Sequence, residues 1–534
     1  MSKPAFAWVT LITLITLLLT ACGGAPAPSA EAPAAEETDA TTEATASIDA
    51  PDATTEAPAA APRGTLRVAQ PIFWGGAESL DPSSPVAFYD VMRPLYDTLV
   101  VYDENFAPAP ALATSWEAND DATVWTFTLR DDVVFHDGKP FTSADVVYTF
   151  ERVLAPDSAS LLSSILSIID TIETPDDTTV VFSLSQPHAE LPVLFIPLLA
   201  SIIPEGSGET IGETGIGTGP FQLEQLDATG TTRMVANDDY WRGEPGLAAI
   251  DFVGIADADA RIQALQAGQI DLVFALLPQQ AALLQNNANL VVQQFAGGKW
   301  AGLGMRTDTP PFDDVRVRQA MRLLVDRQQM LELVQQGTGT ISCDTLVWPG
   351  DPHYWEGKCP SDSEQAKALL AEAGYPDGLD VTLYTSNNLP YMLPLAEVYQ
   401  QQAAQAGITI ELEQVAPDAY WTEIWGVEPF FVTGDVQYPA DFILNLYYRA
   451  GSPYNVIHWD DAETAALLDT ARATLDPVER NERYQEVLQY LASESGYIIL
   501  FYRDEIQAFA RNVHGVQPII DTDLLWHGIT KTEE

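Results

Sequence analysis

The stretch "SEQAKALLAEAGYPDGLDVTLYTSNNLPYMLPLAEVYQQQAAQAGITIELEQV", residues 363–415, reads as one unit written twice. A serine at 363 starts an amphipathic helix that stops at Gly374, and the alternating run Leu379 to Thr385 follows as a strand. A second helix runs up to Ala406, Gly407 ends it, and "ITIELEQV" alternates again. Helices alternating with strands specify an α/β fold with helices packed on a sheet.

The same mixture continues on both sides. Toward the N-terminus, "ADARIQALQAGQIDLVFAL" (258–276) places a helix with Ile262 and Leu265 before a Gly268 stop and a strand from Ile270 to Phe274. "VWTFTLRDDVVFHDGKPFTSADVVYTFERVL" alternates Trp125, Phe127 and Leu129, predicts a hairpin turning at Asp137-Gly138, and starts a helix at Thr142 or Ser143. "DDVRVRQAMRLLVDRQQMLELVQQG" (313–337) carries Val317, Met321, Leu324, Leu331 and Val334 at helical spacing and predicts one helix ending at Gly337. Residues 462–496 predict two helices broken near Asp476-Pro477, before the apolar strand "YIILFY".

The N-terminal end differs in kind. After Lys3 an uncharged apolar run, shorter than a bilayer crossing requires, ends in Leu19-Thr20-Ala21-Cys22, and it reads as a bacterial lipoprotein export signal over 1–21 with lipidation expected at Cys22. Residues 22–63 are almost all Ala, Pro, Thr, Ser, Glu and Asp, too poor in apolar side chains to bury a core, so a disordered tether is expected. As a flexible coil it spans roughly 35 Å. The expected place of the folded part is therefore outside the cytoplasm, beside a cell membrane. Its length, residues 64–534, exceeds one ordinary core and predicts two or three lobes.

Composition excludes several roles. Only 25 Lys and Arg stand against 76 Asp and Glu, a net charge of −51, which disfavours nucleic acid and anionic lipid as partners. No Gly-x-Ser-x-Gly, His-Glu-x-x-His or phosphate-binding loop occurs, and the glycines of "GIGTGPF" (215–221) lack the strand and helix that a dinucleotide site needs. No enzyme, cofactor or metal is expected. Six scattered histidines offer no ligand set, although His353 lies between Cys343 and Cys359. In an exported chain those two cysteines predict a disulfide, worth up to about 3 kcal/mol.

Seven stretches, in order, carry a resemblance: 94–117, 125–153, "GTGPFQLEQ" (217–225), "NDDYWRGEP" (237–245), 258–273, "PPFDDVRVRQAMRLLVDRQQML" (310–331) and "QAKALLAEAGYPDG" (365–378). Together they resemble the extracytoplasmic solute-binding proteins of peptide-type ABC transporters, the dipeptide, oligopeptide and nickel-binding family 5. The resemblance implies a two-lobed, class II periplasmic-binding-protein-like α/β fold with two hinge strands. It places lobe I at 64–298 with a subdomain inserted at about 86–216, lobe II at 299–495, and a return of 496–534 to lobe I. It further implies a monomer that encloses a peptide or other small solute and delivers it to permease subunits driven by separate ATPase subunits.

Within "FFVTGDVQYPADF" (430–442) the resemblance makes Asp435 the partner of a ligand α-amino group. Phe431, Val432 and Gly434 before it are expected to offer backbone to an extended ligand, as an added strand would, with Tyr438 beside it. The family usually has Trp where this chain has Val432, and often an acid at Tyr438, so the ligand's side-chain preference is left open. An exposed turn residue, or one paired with an internal cation, is the alternative for Asp435. Phe73 and Trp74, beside two glycines, are read either as a cleft wall or as core. Trp300, Trp421 and Trp425 are cleft candidates or packed aromatics. Within the same fold an oligosaccharide, a nickel chelate or an opine-like compound is the alternative cargo, and a secreted hydrolase on a lipoprotein stalk is the alternative class.

Overall fold

The computed structural model describes residues 63–72, 75–103, 106–435, 437–517 and 526–532, without the side chains of Asp418 and Asp435. The expected signal, Cys22, nearly all of the tether, Phe73 and Trp74 lie outside the described residues.

Two strands organise the fold. Leu290–Met305 and Tyr497–Ala510 are 16 and 14 residues long and pair antiparallel over almost their whole length. Their pairing slips between Phe295 and Lys299, so each is one strand with a break in the middle. The outer halves carry different partners. On one side Phe430–Asp435 pairs with residues 300–305, and beyond it come Leu379–Ser386 and Ile408–Val415. On the other side Leu272–Val273 pairs with residues 508–509, followed by Thr65–Gln70, Ala249–Gly254, Thr231–Ala236 and Phe221–Gln225. One twisted sheet thereby serves two lobes joined through two continuous strands.

Between Thr65–Gln70 and Phe221–Gln225 the chain builds a separate four-stranded antiparallel sheet from Ala113–Ala118, Val124–Leu129, Thr179–Leu184 and Ile169–Asp176. The inward positions of these strands are apolar, and Phe127, Phe150, Phe182 and Phe195 meet edge to face or tilted, 4.8–5.8 Å apart. Its buried side chains form one contiguous core with those of residues 300–502, whereas Leu66, Val68, Phe252 and Trp526 belong to a second core.

Local signals explain most element ends. Thr142 caps the helix Ser143–Leu154, and Asp145 reaches back to the Thr142 N–H at 2.9 Å. Asp476, with Pro477 at the first helical position, caps Pro477–Glu494. Gly374 and Gly407 end their helices at φ 101° and 81°.

Three sequence expectations are corrected. Asp362, not Ser363, caps the helix Ser363–Glu372, accepting from the N–H groups of Glu364 and Gln365. The helix expected over 313–337 is two, Val315–Leu323 and Arg327–Gln335, because Asp326 caps a new start by accepting from the Gln329 N–H. The hairpin at Asp137-Gly138 is reduced to a single bridge between Val134 and Pro140, while Val124–Leu129 pairs with Ala113–Ala118 and Thr179–Leu184 instead.

Candidate functional site

The carboxyl ends of Leu379–Ser386 and Phe430–Asp435 point at the break in the two long strands. In open α/β sheets that rim is where ligands bind. Asp435 ends its strand in register with Trp300, which in turn is in register with Tyr502. Gly434 is a site of close approach: a Cβ there would collide with the Tyr391 hydroxyl and the Trp300 carbonyl. Gly298 likewise leaves room for the Gln437 side chain. Gln437 is thereby packed onto the break.

Aromatics from distant segments converge beside it. Tyr102, Phe106, Trp348, Gln437, Tyr438 and Pro439 line a cavity of about 20 Å³, room for about one buried water. Phe106 meets Trp348 edge on at 5.3 Å, and Tyr438 stacks on Phe442 at 4.4 Å. Tyr102, Phe106, Trp348, Tyr391 and Gln437 were not anticipated. The signal that could have found Tyr391 is its position just after a strand end, in "SNNLPYM".

The structure corrects the expected roles of several residues. Phe430, Phe431 and Val432 are fully buried, and both edges of their strand are taken. Residues 300–305 pair along one edge, Tyr384 pairs with Phe431 on the other, and the Tyr420 hydroxyl donates to the Val432 carbonyl at 2.5 Å. A ligand strand therefore cannot add along Phe431 and Val432. Trp300 is 0 % exposed, wedged edge on between Tyr447 and Tyr497, and is core rather than cleft wall. Trp425 donates from its indole to Thr433 Oγ1 at 3.1 Å and meets Trp421 and Tyr454, a ring ladder in which Trp421 is the exposed end.

Cys343 and Cys359 are bonded, with Cα atoms 5.1 Å apart. His353, between them, is turned away to Glu190, its Nε2 3.0 Å from the carboxylate and its ring 4.4 Å from Tyr484. Beside it Asp441 is fully enclosed by Arg472, His188 and Tyr484. Burial works against the Asp441 charge, yet Arg472 and His188 hold its carboxyl well below the usual range. These buried ions tie the segment after Thr179–Leu184 to the helices Ala440–Tyr448, Ala462–Ala473 and Pro477–Glu494. Among the described residues no group of three or more His, Cys, Asp or Glu is arranged to hold a metal ion, and no helix is long and apolar enough to cross a membrane.

The profile of the bacterial extracellular solute-binding proteins, family 5, matches residues 107–453, about two thirds of the chain. The chain belongs to that family. Family 5 proteins bind solutes for ABC importers, so this member is a binding protein and not an enzyme, and it works outside the cytoplasm with a membrane permease. The glutathione-binding protein GsiB of Salmonella typhi is 29% identical over 451 residues, covering 81% of this chain and 88% of the relative. The binding protein AgaA from A. tumefacien R10, solved with agropinic acid, is 27% identical with a TM-score of 0.77, over 88% of this chain and 99% of that one. DppA of Helicobacter pylori, solved with the peptide STSA, shares the fold at 23% identity and a TM-score of 0.76, over 88% and 98% of the two chains.

Proposed function

We propose that this family 5 protein captures short peptides between its lobes and passes them to the permease, with Asp435 as the partner of the peptide's α-amino group. The observation that carries the reading is the position of Asp435: it ends a strand at the break of the two long strands, beside the aromatic cavity walled by Tyr102, Trp348 and Tyr438. An ammonium enclosed next to a carboxylate makes charge-assisted hydrogen bonds that bulk water would weaken. With Phe431 and Val432 closed off, the backbone of residues 433–435 is what remains of the strand for a ligand. The fold shared with a peptide-bound protein of Helicobacter pylori agrees with this reading. We further propose that the protein is a monomer, that lobes I and II divide near residues 298 and 496 with 86–216 inserted in the first, and that lipid on Cys22 holds it at the membrane.

An opine-like solute is the second reading, favoured by the 27% identity to the agropinic acid-bound protein. Mass spectrometry of solute released by denaturing the purified protein separates the two. Peptides recovered from the native chain and lost from Asp435→Ala support the proposal. Opines or sugars, or peptides indifferent to the substitution, overturn it.

A further inference from the structure

The cavity among Tyr102, Phe106, Trp348 and Tyr438 also has a carboxylate in its wall, that of Asp351. Asp351 follows Trp348 in the loop closed by the Cys343–Cys359 disulfide, so ring and acid are carried on one covalently closed segment. Its two oxygens accept from the N–H groups of His353 at 2.8 Å and Ala440 at 3.0 Å. A carboxylate offers about four lone-pair sites, so roughly half of its accepting capacity is left. Among the described residues Asp351 makes no ion pair: the His353 imidazole turns to Glu190, and Arg480 goes to the same Glu190. Burial pushes the Asp351 carboxyl above its usual value and Glu190 adds to the push, against His353 and the Ala440 N–H.

The rings around it are placed by unusual backbone. Phe106 holds φ at 60°, a left-handed conformation that a bulky residue rarely adopts, and its ring meets Trp348 edge on. The Trp348 ring lies against Gly350, where any Cβ would collide with it. Tyr102 meets Phe106 at 5.9 Å, and Tyr438, stacked on Phe442, adds a fourth ring.

Aromatic rings around a carboxylate make a place for a cation. The ring quadrupoles attract positive charge, and the acid supplies charge-assisted hydrogen bonds. An apolar group there would cut Asp351 off from water without a partner, and an anion would be repelled by it. Size narrows the cation, because room for about one water suits an ammonium head and is too small for a planar guanidinium or a trimethylammonium. The net charge of −51 also draws cationic solutes toward the molecule.

We infer that this cavity receives an ammonium group of the solute, held by Asp351 within the rings of Tyr102, Phe106, Trp348 and Tyr438. The inference rests on the reading that a peptide is enclosed beside this cavity, and it deepens that reading. Besides the α-amino group assigned to Asp435, the cargo carries a second amine, as a lysine side chain does.

The test is isothermal titration calorimetry on the full chain with tripeptides of alanine carrying one lysine, norleucine or arginine at each position in turn, for wild type and Asp351→Asn. Norleucine keeps the methylenes of lysine and lacks its charge. At one position lysine is expected to bind wild type roughly tenfold or more tighter than norleucine, while arginine shows no such gain. Asp351→Asn is expected to erase the difference. Equal binding of lysine and norleucine peptides at every position overturns the inference and leaves the peptide reading standing. A lysine preference that persists in Asp351→Asn, or one that arginine shares, also overturns it. Where Asp351→Asn lowers the melting temperature, Trp348→Leu takes its place and is expected to reduce the lysine gain; an undiminished gain overturns the inference. If no peptide binds, the peptide reading falls, and solute released by denaturing wild type and Asp351→Asn is compared by mass spectrometry. An amine-bearing solute kept by wild type and lost from the variant upholds the ammonium site, whereas a solute without an amine, equal retention, or no solute at all overturns it.

Discussion

His353 shows how far a side chain's partner can lie from its sequence neighbours. It was expected to be a loop residue between two cysteines, and it bonds Glu190, 163 positions away. Burial favours its neutral form, but the hydrogen bond and charge of Glu190, with Asp351 adding to them, outweigh this and raise its pKa. Glu190 in turn is held below its usual value, against its own burial, by His353 and Arg480. The groups facing the imidazole are thus Glu190, Asp351, Asn481 and the Tyr484 ring, with Arg480 on the far side of Glu190. A histidine whose folded pKa is raised above the unfolded value of about 6.5 stabilises fully below that pH and ceases to as pH rises through the folded value. Denaturant midpoints of the wild type should therefore fall between pH 6 and pH 9 by more than those of His353→Gln. Equal falls in the two proteins would remove His353 from the account.

The two long strands carry the corresponding lesson for elements. Gly297, at their break, faces the Arg503 carbonyl, and a Cβ built on it would lie 2.6 Å from that oxygen. Backbone cannot yield as a side chain does, so Gly297→Ala must push the strands apart where the lobes join. The expected cost is about 1–3 kcal/mol in denaturant unfolding, the range for overpacking a close contact. Solute affinity should drop with it, because these two strands join the lobes that enclose the solute. A variant as stable as wild type would mean that the break is already loose. The broken helix at Asp326 belongs here too: its apolar periodicity continues across the break, since a second cap costs the pattern nothing while redirecting the axis.

For the molecule as a whole, the two-lobed sheet and the family place a solute-binding protein of an ABC importer outside the cytoplasm. The attachment to the membrane proposed above rests on Cys22. Cys22→Ser is expected to shift the protein from the membrane fraction to the soluble extracytoplasmic fraction in fractionated cells, with solute affinity unchanged. Retention in the membrane by the variant would instead favour an uncleaved apolar anchor over lipid.

The α/β class, most helix ends and the family stretches were legible because each depends on residues a few positions apart: Gly374 and Gly407 stop helices locally, Thr142 and Asp476 start them, and alternation marks strands such as Ile408–Val415. The strand begun by the apolar run Phe430 to Val432 was legible in the same way. What depended on strands meeting from opposite ends of the chain could not be read that way. Only the tertiary structure buried Trp300 between Tyr447 and Tyr497, gave the Val432 carbonyl to Tyr420, and paired Lys299 with Glu505. Burial and ion pairing are decided by which segments share a register, and residues 300, 435 and 502 acquire theirs only when the sheet closes.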